Sequence, residues 1–85
     1  MSPRIVTPRT NAITYRGFTI VPRTFQIHGS RRWTLDVVIA SRIRQRAFSG
    51  AKTFRTEPDA IRGCHLFGRR IIDGLVPDCP VDDLL

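Results

Sequence analysis

The clearest alternation of apolar and polar positions runs from Trp33 to Ala40, where Trp33, Leu35, Val37 and Ile39 interleave with Thr34, Asp36, Val38 and Ala40. A period of two places the first set on one face of a β-strand and the second on the other. Upstream, Ile13 to Ile27 is rich in Thr, Tyr, Phe, Ile and Val and also reads as strand. Phe18 and Ile20 share a face there, whereas Phe25 and Ile27 fall on the other unless a bulge at Pro22 restores the register. Because proline gives no donor to a ladder, an edge strand or a bulged strand is expected. His28 to Arg31 supplies a turn, and Ile43–Ser49 and Lys52–Arg55 read as two further short strands, broken at Ser49 and Gly50.

The pattern changes to helical after Thr56. At about 100° per residue, Ala60, Cys64, Phe67 and Ile71 form one stripe, with Ile61 and Ile72 on its flank. Thr56 is the expected N-cap, Pro58 is tolerated in the first turn, and Glu57 and Asp59 put negative charge at the positive end of the helix dipole. Gly74 suits the position after the C-cap and Pro77 blocks resumption, so the helix is expected from Glu57 to Asp73. Gly68 inside it points to a close approach between helix and sheet.

Together these elements predict an α+β fold, with a three- or four-stranded antiparallel sheet followed by one C-terminal helix packed on one face. Eighty-five residues, 41% of them hydrophobic, allow a single modest core and rule out two domains. Residues 1–12, with Pro3 and Pro8 and no apolar periodicity, are expected to be a flexible N-terminal arm; 13–74 form the domain; 75–85 are expected to be a loosely held acidic tail. No run approaches the roughly 18 apolar residues of a membrane span, and no apolar region follows the N-terminal arginines, so a cytoplasmic protein without membrane association is expected.

Charge adds an asymmetry that hydropathy does not show. Met1–Thr56 carries eleven basic residues and only Asp36, whereas Glu57–Leu85 carries three basic and six acidic ones, within a total of +7. Thirteen of the fourteen basic residues are arginine, an excess that a nucleic-acid ligand explains and that a GC-rich genome explains equally well. Arg42, Arg44 and Arg46, alternating along one expected strand, with Lys52 and Arg55 beyond, are the candidate nucleic-acid-binding residues, since they would project from one face and could track phosphates. The acidic tail is expected to lie against this basic edge. Asp36 is expected to pair with an arginine on the exposed sheet face.

Reactive chemistry is sparse. Cys64 and Cys79 are too few and too far apart for a disulfide framework or a zinc site, and Cys64 lies on the apolar helix stripe. His65 follows Cys64, but neighbouring helical residues point about 100° apart and cannot chelate one ion. His28 and His65 have no acid or serine at a helpful spacing, and Gly63, Gly68 and Gly74 lie inside or behind a helix and not before one, so no catalytic, metal or cofactor-binding residue is assigned. An enzyme is not expected.

Tyr15-Arg16-Gly17-Phe18, the strand from Trp33, Phe54 with Thr56 and Ala60, and Gly68-Arg69-Arg70-Ile71-Ile72-Asp73-Gly74 resemble small uncharacterised proteins of Gram-negative bacteria. In these an aromatic-Lys/Arg-Gly hairpin start, a Trp strand and a C-terminal helix ending in Ile-Asp-Gly recur. The likeness covers about residues 13–74 and implies a fold class without an activity. The expected function is therefore a non-enzymatic interaction or regulatory module, acting through the open sheet face or an edge strand on a protein partner or a second copy of itself. The alternative is a nucleic-acid binder using the arginine strand. Exposed aromatic residues beside the arginines would favour nucleic acid, and a contiguous apolar patch would favour protein.

Overall fold

In the computed structural model, which describes residues 11–85, four strands form one antiparallel sheet in the order β1-β2-β3-β4, followed by a helix. The strands are β1 (Ile13–Tyr15), β2 (Phe18–Pro22), β3 (Trp33–Ala40) and β4 (Gln45–Phe54), the helix α1 is Glu57–Ile72, and a short 3-10 turn spans Asp82–Leu84. The expected α+β architecture is observed. The arm expected over 1–12 lies, apart from Asn11 and Ala12, outside the described residues.

Two expected strand boundaries are corrected. Ile13 to Ile27 is not one strand: it turns back at Arg16 and Gly17, whose φ of 52° and 86° make a tight hairpin that pairs Tyr15 with Phe18. Glycine supplies one of the two left-handed positions without a steric penalty. β2 then ends at Pro22, yet no bulge follows: Gln26 faces Trp33 in the register that set Pro22 opposite Val37. Phe25 and Ile27 therefore stay on the face opposite Phe18 and Ile20. The second correction concerns β4, a single ten-residue strand where a break at Ser49–Gly50 was expected. Its irregularity is a register shift just beyond Gly50, between the pairs Leu35↔Gly50 and Trp33↔Phe54, which the strand absorbs without ending.

α1 begins and ends as its sequence dictates. Thr56 is extended, its hydroxyl accepts from the Asp59 backbone N–H, and Pro58 sits in the first turn. At the other end the Leu75 N–H donates to Arg70 O at 2.9 Å and Gly74 N–H to Ile71 O at 3.0 Å, a Schellman closure. The stripe buries Ala60, Cys64 and Ile71 completely or nearly so, and Phe67 partly. Gly68 is where the helix touches the sheet, since a Cβ there would lie 2.5 Å from Cγ2 of the fully buried Ile20.

The covered face of the sheet presents Phe18 and Ile20, then Leu35, Val37 and Ile39, then Phe48 to α1. Residues 75–85 complete this core. Val81 is 7% exposed and Leu84 1%, both within the main apolar cluster, so the segment expected to be loosely held is seated by burial. Removing such side chains from water contributes about 1.5–3 kcal/mol each, more than a mobile acidic tail could gain from surface ion pairs.

Candidate interaction surfaces

The covered-face row Ile13, Ile20, Ile39 and Arg46 crosses all four strands, each residue paired with the next. Arg46 thus stands at the rim of the core, on the helix side of the sheet and away from the open face. Its guanidinium pairs with the Asp83 carboxylate and also donates to Pro80 O at 3.3 Å, and Arg44 reaches Asp83 O at 3.4 Å. Arg42 and Arg44 are not in a strand. They belong to the β3–β4 turn, which Ser41 holds through its N–H to Arg44 O at 2.8 Å and through its hydroxyl, which accepts from the Ile43 and Arg44 N–H groups. Lys52 lies near the helix, its Nζ 5.5 Å from the centre of the Phe54 ring, and Arg55 is exposed in the link to α1. The expected arginine strand is therefore dispersed over a turn, a core rim and the helix side.

The expected contact between the acidic segment and the basic edge is present at Arg46 and Asp83. The Arg46 hydrogen bond holds the Asp83 carboxyl below the usual aspartate range. A lowered folded pKa means the contact stabilises above the unfolded pKa and is lost as pH falls through the folded value. Acid titration of stability from about pH 5 downward should therefore show a smaller slope for Asp83→Asn than for the unaltered chain. Identical profiles would show that the pair contributes nothing. Deleting 78–85 would not isolate this contact, because Val81 and Leu84 leave the core with it.

The open face is different in character. Val21, Val38 and Ala47 face one another across β2, β3 and β4 as a continuous apolar row, flanked by Thr19, Ala40 and Gln45 on one side. On the other side stand Arg23 and Asp36. Phe25, 57% exposed, completes a shallow concavity with Arg23, Asp36, Val38 and Ala47. Among the described residues Asp36 pairs with no arginine, contrary to expectation: its carboxylate accepts from the Ser49 hydroxyl across the strand pair. None of the five candidate basic residues contributes to this concavity.

One set of contacts, a clasp, was not expected from the sequence. Tyr15 OH donates to Asp73 Oδ2 at 2.9 Å, Arg16 Nε lies 3.1 Å from Asp73 Oδ1, and the Arg16 and Arg69 guanidinium carbons stand 5.7 Å and 5.8 Å from the Tyr15 ring centre. It joins the hairpin turn to the C-terminus of α1. The available signal was that the two glycine-bearing motifs, Tyr15-Arg16-Gly17 and Ile72-Asp73-Gly74, each carried charge or a hydroxyl with no local partner.

Cys64 and His65 are engaged structurally. The Cys64 thiol is buried, which pushes its pKa up, and it donates to Asp36 O at 3.2 Å. His65 Nε2 donates to Asn11 O at 2.6 Å. Among the described residues no three His, Cys, Asp or Glu side chains converge as a metal site would require, and no helix is long and apolar enough to cross a membrane. Compared with protein-family models, with curated proteins and with solved structures, the chain has no significant match.

Proposed function

We propose that this chain is a small non-enzymatic interaction module whose open sheet face binds protein, and that the partner this face fits is a second copy of the chain. The observation that carries the reading is the apolar row Val21, Val38 and Ala47 with the exposed ring of Phe25 beside it. Small side chains make the face flat, and sheets packed face to face approach to about 10 Å. The concavity bears one cation, Arg23, and one anion, Asp36, and a second cation, Arg32, is held farther along the same face by Thr53. A two-fold axis near Val38 sets Arg23 of each copy toward Asp36 of the other, so the surface is self-complementary in charge as an isologous interface must be. Strands of 3, 5, 8 and 10 residues, rising about 3.3 Å per residue and spaced about 4.8 Å, give roughly 400 Å² per copy, hence about 800 Å² in all, the size of a weak, transient interface. A weak dimer follows, dissociating in the micromolar range or above.

Sedimentation velocity over a concentration series tests this. The unaltered chain should associate reversibly, and Val38→Arg, which buries a like charge from each copy at the axis, should weaken association by at least about tenfold. Because each copy carries +7, association should strengthen as salt rises from about 50 to 300 mM. Nucleic-acid binding would show the opposite salt dependence. A chain monomeric at every concentration and salt would remove the proposal.

The nucleic-acid alternative gains less support from the geometry. Its candidate residues Arg42, Arg44, Arg46, Lys52 and Arg55 do not all share one face, and Arg46 is already paired with Asp83.

A further inference from the structure

On the helix side, α1 packs mainly on β3 and β2 and only lightly on β4. The groove over β4 is left to be filled from elsewhere. Beside Arg46, at the start of β4, the chain fills it with its own residues 80–84: Asp83 pairs with Arg46, and Leu84 enters the core at 1% exposure. Toward the end of β4 the same groove is open. There Leu35, Phe54 and Phe67 make an apolar floor, and Leu66, Lys52 and Arg70 stand around it.

Three features of this cleft specify an occupant. Its volume is about 210 Å³, below the roughly 300 to 1,000 Å³ of sites that engulf a free small molecule, so it suits one large side chain presented by a longer segment. Leu66 at its rim is 50% exposed, apolar area that an inserted side chain would cover. Lys52 and Arg70 are exposed, and the ion pairs among the described residues, Arg16–Asp73, Arg46–Asp83 and Arg62–Asp59, involve neither. Two cations over an apolar floor match an aspartate-rich stretch carrying one leucine or aromatic residue. The occupied half of the groove holds that same chemistry.

We propose that the cleft between α1 and the end of β4 is a docking site for an extended acidic segment of a partner protein, with one large apolar side chain on Leu35, Phe54 and Phe67 and carboxylates on Lys52 and Arg70. The site lies on the opposite side of the sheet from the open face and goes beyond the self-association proposed for that face. A chain using both would bridge a copy of itself and a second protein.

The test is a titration of the full ¹⁵N-labelled chain with the peptide acetyl-Asp-Asp-Leu-Asp-Asp-amide at low ionic strength. Saturable shift changes centred on Lys52, Phe54, Phe67 and Arg70 are expected, with affinity falling about tenfold for Lys52→Glu combined with Arg70→Glu. Both residues are exposed, so the fold should survive their reversal. The reversed variant should in turn prefer the peptide with lysine in place of every aspartate, a gain that an unfolded chain could not give. Replacing the peptide leucine by alanine should weaken binding about fivefold or more if the floor is used. Shift changes centred on Arg42 and Arg44, equal affinity for the leucine and alanine peptides, or no saturable binding would each overturn the site.

Discussion

Leu84→Ala is expected to lower the free energy of unfolding by about 2 to 5 kcal/mol, as measured by urea denaturation. Leu85→Ala, one residue on, should leave it within about 0.5 kcal/mol. Leu84 is 1% exposed and packs in the same cluster as Ile20, Ile39 and Ile71, whereas Leu85 is 78% exposed. A domain of this size has a total stability of only about 4 to 13 kcal/mol, so the loss at Leu84 would be a large part of the whole. The seat of the last eleven residues depends on this contrast. Equal midpoints for the two variants at equal slopes would show residues 75–85 to be an appendage.

Gly68→Val is the second large effect, expected to cost about 1 to 3 kcal/mol although valine is the better helix former. The reason is distance. A Cβ at position 68 would meet three side-chain atoms of Ile20 at 2.5, 3.0 and 3.1 Å, and Ile20 is fully buried beneath the helix with no room to yield. Ile20→Ala alone should cost about 2 to 5 kcal/mol through the cavity it leaves. Combined, the two substitutions should cost less than their sum by about 0.5 kcal/mol or more, since the valine fills space the isoleucine vacated. Strict additivity in this cycle would contradict the contact between α1 and β2.

The parts of the fold that the sequence showed in advance are those whose signals are local. α1 announces itself through Thr56, Pro58 and Gly74 and through the stripe from Ala60 to Ile71, and β3 through unbroken alternation. The hairpin was indicated by the resemblance carried by Tyr15-Arg16-Gly17-Phe18, but not by the reading of the local pattern. Its signal is the switch of apolar parity between Ile13 and Tyr15 on one side and Phe18 and Ile20 on the other, which a two-residue turn produces, but the break was sought at the proline. Pro22 does end the strand, yet the pairing register survives it, so Phe25 reaches the open face instead of the core. β4 read as two strands because glycine usually marks a stop. Here Gly50 stands where a Cβ would lie 2.5 Å from Leu35 Cδ2, a packing requirement that no single-strand pattern reveals.

The surfaces were less legible than the fold. Arg42, Arg44 and Arg46 alternate as a strand would, but Ser41 caps a turn that takes the first two out of the sheet, and strand parity sends the third to the core rim. The acidic character of 75–85 masked its apolar content. Val81 and Leu84 are three apart, the spacing that places both on one side of a 3-10 turn, and that was the available cue to their burial. Once they are seated, charge along the sequence ceases to describe charge in space, since the acidic Asp83 stands against the basic Arg46.

Self-association through the open face can be read side chain by side chain in an isotope-filtered NOE experiment on a mixture of ¹³C-labelled and unlabelled chain. At concentrations where association is detectable, intermolecular contacts are expected from the Val38 and Val21 methyl groups to the Phe25 ring and the Ala47 methyl of the other copy. Intermolecular contacts confined to the exposed side chains elsewhere, Ile43, Leu66 or Leu85, would contradict it.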